Sequence, residues 1–218
     1  LVNSVVRGQY TAGDIDGDGF GDEDVFARVH GCGDVFRVEV GWAVDGDGID
    51  EECINAMCNA GTFWVPSLIY PKLLLELGWD SDGSVKAQYE NARAMLPLAQ
   101  RAGVRILIGD DYSGVFRDML EDDPLDHQVG CYGREFAYYG GVDGLGAAEV
   151  LSWGTKNAGE LLVDGPEQVG VVKPGALADL IIVDGDPLAD LSLLAQPKSS
   201  LKAVIRDGVF VIDHLRGR

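Results

Sequence analysis

Gly103-Val104-Arg105-Ile106-Leu107-Ile108-Gly109-Asp110-Asp111 is the stretch on which the reading of the fold turns. A nearly all-apolar run between two glycines, rich in β-branched residues, reads as a strand buried on both faces. Two adjacent carboxylates end it. Just upstream, residues 84–102 carry Val85, Tyr89, Ala92, Leu96 and Ala99 at helical spacing. Ser84 is the expected cap, Gly103 the stop, and Pro97 is expected to kink this helix or end it early. Further back, Thr62-Phe63-Trp64-Val65-Pro66-Ser67-Leu68 is a second buried-strand run. Before it, Asp50 should cap a helix over 51–60, with Glu51 and Glu52 in the first turn and Gly61 as the terminator.

Downstream, residues 146–162 read as another helix, with Ala147, Val150, Leu151, Gly154 and Ala158 along one face. Strands and helices alternating at this spacing imply βαβ units and a parallel sheet. The tail changes character. Val169-Gly170-Val171-Val172-Lys173-Pro174-Gly175 reads as a turn-bounded strand and residues 178–185 as another. Residues 204–211 read as a hairpin on the Asp207-Gly208 turn.

The chain has 218 residues, 46% of them hydrophobic, enough for one large domain or two smaller ones with a real core. No run of uncharged apolar residues is long enough to span a membrane. The first residues, Leu1-Val2-Asn3-Ser4-Val5-Val6-Arg7, lack the basic flank and apolar core of a signal peptide. A net charge of −19 argues against nucleic acid or an anionic membrane as partner, since both demand a basic footprint. The acidity suits solubility, or direct binding of cations. Cys32, Cys53, Cys58 and Cys131 form no C-x-x-C pair, which implies free thiols in a reducing, cytoplasmic compartment.

Three blocks resemble the amidohydrolase superfamily, in its imidazolonepropionase-like and prolidase-like branch. The first is Gly170-Val171-Val172-Lys173-Pro174-Gly175-Ala176-Leu177-Ala178-Asp179-Leu180-Ile181-Ile182-Val183-Asp184-Gly185, closed by Val204-Ile205-Arg206-Asp207-Gly208. It is similar to the phrase that marks the family's β-sandwich subdomain. The second is the opening stretch, which resembles the last barrel strand with its terminal Asp. The third runs from Val38-Glu39-Val40-Gly41 through the Asp50 helix to Leu68 and resembles the sixth strand, its helix and the seventh strand. Arg134-Glu135-Phe136 and residues 151–157 also fit the branch.

The resemblance implies an α/β fold: the C-terminal portion of a TIM-like (β/α)8 metal-dependent hydrolase barrel, followed by a small β-sandwich subdomain. Residues 1–35 are then a poorly matching Gly- and Asp-rich segment, 36–162 the partial barrel and 163–218 the sandwich. It also implies hydrolysis of amide or cyclic amide C–N bonds in a small-molecule substrate. The cofactor would be a divalent metal, zinc above all, that lowers the pKa of a bound water. Asp111 matches the residue that binds this metal and serves as general base, and an acid at the C-terminal end of a barrel strand does face the mouth. His30 falls at the second His of the fifth-strand motif, with Arg28 at the first. His127 lies in a post-strand loop near the mouth, downstream of Asp111, where a substrate contact or a plain surface position are both open.

The chain departs from the family pattern in its metal ligands. The family uses a His-x-His on the first strand and a His on each of the fifth and sixth. Here the histidines are His30, His127 and His214 alone, and Val40 stands where the sixth-strand ligand belongs. Valine has no donor atom. A divergent or truncated chain accounts for this, and such a chain is expected to be inactive by itself. A partial barrel is also expected to leave strand edges and one apolar face bare. Self-association, or pairing with a missing N-terminal half, would follow.

Asp14-Ile15-Asp16-Gly17-Asp18-Gly19-Phe20-Gly21-Asp22 offers a different function. Asp14, Asp16, Asp18 and Asp22 alternate on a loop turned by glycine, the oxygen-rich arrangement that calcium prefers. The alternative reading is a non-enzymatic calcium-binding or interaction module. A solvated Gly-Asp loop gives the same pattern.

Overall fold

A computed structural model describes residues 27–32, 35–40, 49–109, 131–162 and 168–215. Its first sheet has four strands in the order β1 (Ala27–Cys32), β2 (Val35–Val40), β3 (Phe63–Trp64) and β4 (Arg105–Ile106). β2, β3 and β4 run parallel, with Val38 opposite Trp64 and Trp64 opposite Ile106. The Leu107 N–H donates to the Trp64 carbonyl at 2.8 Å, so pairing runs one residue beyond β4. The parallel core of the sheet is therefore the one that the alternating pattern implied.

β1 departs from it. It pairs antiparallel with β2, and His30 stands opposite Arg37. Only residues 33–34 separate the two strands, and so short a connection can close a hairpin but cannot carry a crossover helix. The fifth-strand resemblance of residues 26–31 thus lacks the parallel geometry of a barrel strand.

Helix α1 (Glu51–Ala60) forms as its caps dictate: the Asp50 side chain accepts the Cys53 N–H, and Gly61 ends it in the left-handed region at φ 64°. α2 (Ile69–Glu76) and α3 (Ser84–Ala102) follow. The expected Ser84 cap of α3, and an early end at Pro97, need correction. Its first turn is capped by Asp80, which accepts from Val85 and Lys86, and by Asp82, which accepts from Ser84. Ser84 is the first helical residue instead of the cap. The helix also runs unbroken through Pro97. That residue is buried in the core-facing turn beside Leu96 and Ala99, so its lost N–H is set against burial of the ring.

α4 (Cys131–Gly140) and α5 (Ala147–Ser152) pack next to each other. A π-helical segment, Trp153–Asn157, joins α5 to α6 (Ala158–Leu162), so the helix expected over 146–162 is present with a widened turn in it. The main core gathers Trp64, Ile106 and Ile108 from the strands with Leu96, Ala99, Phe136, Tyr139, Val150 and Trp153 from the helices. Tyr139 meets Trp153 edge-on at 5.4 Å, and the Trp153 indole N–H donates to Gln100 Oε1 at 2.8 Å. Alternate residues Phe63, Val65 and Leu107 pack against Ala158 and Leu161. Both faces of β3 and its β4 neighbour are thus covered, and the apolar face expected to be bare there is buried. Each such large apolar side chain contributes about 1.5–3 kcal/mol.

The C-terminal unit is a second, antiparallel sheet in the order β5 (Leu180–Val183), β6 (Leu201–Arg206), β7 (Val209–Asp213). Asp207 at φ 49° and Gly208 at φ 75° turn the β6–β7 hairpin, as the Asp-Gly signal indicates. Among the described residues no second sheet packs on it to make a sandwich. Residues 169–175, expected as a strand, form a loop instead, closed where Leu177 N–H donates to the Gln168 carbonyl. Pro174 brings no N–H to a ladder and favours the turn. This sheet carries much of the exposed apolar surface among the described residues: Ile181 is 55%, Phe210 47% and Val209 67% exposed. A 3-10 turn (Leu191–Ala195) and the short α7 (Pro197–Ser200) sit between β5 and β6, and Leu191 joins the main core. Among the described residues no helix is long and apolar enough to cross a membrane.

Candidate active site at the strand ends

Parallel strands bring their C-terminal ends to one side of a sheet, and in α/β folds that side carries the chemistry. Here the ends that define it are Val65-Pro66-Ser67 after β3 and Leu107-Ile108-Gly109 after β4. The two meet. A Cβ placed on Gly109 would stand 2.5 Å from Val65 Cγ1 and 3.5 Å from Ser67 Oγ, so only glycine lets the strand ends lie this close. Ser67 is half-buried and holds φ at 46°, a conformation that non-glycine residues adopt at a cost.

Two side chains brace these ends from behind. Asn157, at the close of the π segment, donates its side-chain N–H to the Ile106 carbonyl at 2.8 Å. An ordinary α-helical register would rotate Asn157 by part of a turn, so the π segment belongs to this contact. The second brace is Glu135 on α4. It is fully buried, and its Oε1 accepts the Ile69 N–H at 2.6 Å. Ile69 opens α2, whose cap residue Leu68 has no side-chain acceptor. A carboxylate placed there satisfies an otherwise orphaned donor and sits at the positive end of the helix dipole.

Gly109 is the last described residue before the Asp110-Asp111 pair. Asp111, His127 and the loop acids Asp14, Asp16, Asp18 and Asp22 lie outside the described residues. His30 is placed only by its backbone, opposite Arg37 on the strand that runs antiparallel to β2. His214 follows β7 on the second sheet, where its N–H donates to the Lys202 carbonyl. Among the described residues no group of three or more His, Cys, Asp or Glu side chains could hold a metal ion. The described residues therefore do not by themselves fit a catalytic metal. Cys53 and Cys58 are free thiols, and burial pushes the Cys53 thiol above its usual pKa.

Sequence reasoning missed Ser67, Glu135 and Asn157. Their partners are distant in sequence, and these residues had been noted only as parts of the blocks 62–68, 134–136 and 151–157, with no role of their own.

A family model described as "Amidohydrolase family" matches residues 55–211. Among solved structures, an amidohydrolase is 26% identical with a TM-score of 0.62, covering 77% of this chain and 38% of that one. A prolidase solved with N-methylphosphonate-L-proline is 25% identical with a TM-score of 0.60, covering 81% of this chain and 40% of that one. The ochratoxinase of A. niger shares the fold at a TM-score of 0.65 with 19% identity, over 82% of this chain and 42% of its own. The chain thus spans well under half the length of each solved relative. No curated protein matches it.

Proposed function

Because the chain belongs to the amidohydrolase family, we propose that it is part of a metal-dependent hydrolase acting on amide or cyclic amide C–N bonds of small molecules. The observation that carries this reading is the joined end of β3 and β4. It sets Gly109 at the C-terminal side of a parallel sheet, and Asp110 and Asp111 follow Gly109 directly in sequence. In this reading Asp111 is the carboxylate that receives a proton from water as the amide carbon is attacked. His127 is a candidate substrate contact and His30 a candidate ligand. Zinc is the favoured metal by family. With three histidines in the chain, the remaining ligands come from polypeptide beyond it.

The test is a hydrolysis assay of the 218-residue chain on an Xaa-Pro dipeptide and an N-acyl amino acid, with zinc or manganese added. The reading expects no turnover above the metal-only control. Turnover that a chelator abolishes and Asp111→Asn removes would show the ligand set to be complete and overturn that part. The calcium-loop alternative draws no support from the family match, which begins at residue 55.

A further inference from the structure

Among the described residues, Glu135 stands out because it is the one carboxylate among the largest fully buried side chains. Nothing in the hydrolase reading uses it. Burying an ionisable group is costly unless its partners are well placed, so its location calls for a physical reason. Its Oε1 accepts the Ile69 N–H, 66 residues away in sequence, at 2.6 Å.

That bond lies on a short path to the strand ends. Ile69 is the first residue of α2, and Leu68, Ser67 and Pro66 lead back from it to Val65 and β3. Fixing the Ile69 N–H fixes where α2 starts, and with it the three-residue turn that holds Ser67 at φ 46°. Ser67 and Val65 in turn wall the space beside Gly109. The helix that carries Glu135 is itself held from its other side. A Cβ on Gly133 would run into the Leu194 carbonyl, and one on Gly140 would come within 3.1 Å of Leu191 Cδ1, so α4 lies tight against the 3-10 turn Leu191–Ala195.

We propose that Glu135 is a positioning residue for the candidate active site, acting through Ile69 to set the Pro66–Ser67–Leu68 turn against Gly109. It thereby fixes the point where the chain leaves β4 toward Asp110 and Asp111, and it couples the C-terminal unit to that point through α4. The functional weight of this inference rests on the hydrolase reading; the coupling itself does not.

Backbone amide NMR and hydrogen exchange on the full chain test it, with Glu135→Ala, Glu135→Asp and Glu135→Gln. In Glu135→Ala the Ile69 amide should exchange roughly tenfold faster or more, as loss of its buried hydrogen bond implies. The Ser67 and Gly109 amide resonances should move with it. Glu135→Asp, one methylene too short, should shift the same resonances in the same direction, and it keeps the test decisive if the alanine variant does not fold. Glu135→Gln retains an acceptor oxygen at the same reach and should hold all three near their original positions.

Two results overturn the proposal. One is faster Ile69 exchange with Ser67 and Gly109 unmoved, which would make Glu135 a local helix cap and nothing more. The other is a disturbance equally large at Cys58 and Ala102, far from the strand ends, which would make it a general stabiliser. Zinc plays no part in these readouts. Failure of the hydrolase reading would therefore leave this one standing or falling by itself.

Discussion

Val65 occupies the place that a side chain on Gly109 would need: its Cγ1 lies 2.5 Å from where that Cβ would be. Val65 is buried and β-branched, so it cannot swing aside freely. Gly109→Ala should therefore cost about 1–3 kcal/mol through overpacking. Val65→Ala opens a gap and should cost a similar amount, about 1–3 kcal/mol. The double variant should be less destabilised than the sum by about 1 kcal/mol or more, because each change makes room for the other. Urea unfolding of the four proteins measures the coupling. Strict additivity would mean that the two strand ends are not in contact.

The second prediction concerns Asn157 and the Ile106 carbonyl. Ile106 is fully buried, so removing its side-chain donor leaves a buried acceptor with less than its full complement. Asn157→Ala should cost about 1–3 kcal/mol. Asn157→Asp should cost at least as much at neutral pH, since a carboxylate would then face a carbonyl oxygen. Equal stability of Asn157→Ala and the parent in urea would remove the π segment's structural role.

Asp50 predicts a pH dependence. The backbone bond from Cys53, at 2.8 Å, holds the Asp50 carboxyl below its ordinary value of 3.8. A folded-state pKa below the unfolded one stabilises the fold above the unfolded value, and the effect fades as pH falls through the folded value. Asp50→Ala should therefore cost about 1 kcal/mol at pH 7, as loss of an N-cap does. The difference between parent and variant should shrink as the pH is taken below 3.8. A gap that stays constant from pH 7 down to acid unfolding would contradict the cap assignment.

The fourth prediction follows from the C-terminal sheet. Ile181, Val204 and Ile212 line one face, and Leu180, Ile205 and Phe210 line the other. Apolar residues on both faces are the mark of a sheet covered on both sides, yet Ile181 is 55% and Phe210 47% exposed. The chain should bind a hydrophobic dye and associate with itself at high concentration. Ile181→Lys and Phe210→Lys should each reduce both, while changing stability by no more than about 0.5 kcal/mol. Sedimentation and dye fluorescence that do not respond to either change would show that this surface is not adhesive.

How much of this was legible depended on the distance over which each feature is encoded. α1 could be read to the residue because Asp50 and Gly61 are local signals, and so could the Asp207-Gly208 hairpin. Parallel pairing of β2, β3 and β4 followed from the alternation of apolar runs with helices. Pro97 did not end the helix early because its burial is set against the lost N–H, and Ser84 misled because Asp80 and Asp82 reach the first-turn N–H groups from earlier in the chain. The direction of β1 was decided by a connection too short for a crossover. Glu135 and Asn157 could not have been found by pattern at all, because their partners lie 66 and 51 residues away. Asp111, the residue the family resemblance singles out, lies outside the described residues, so its role rests on its position in sequence after Gly109.

Zinc titration by calorimetry reaches the central claim most directly, run on the parent chain, Asp111→Asn and Asp16→Ala. The account predicts weak zinc binding that Asp111→Asn abolishes and Asp16→Ala leaves intact. Zinc binding indifferent to Asp111, or a response to calcium alone that disappears in Asp16→Ala, would contradict it.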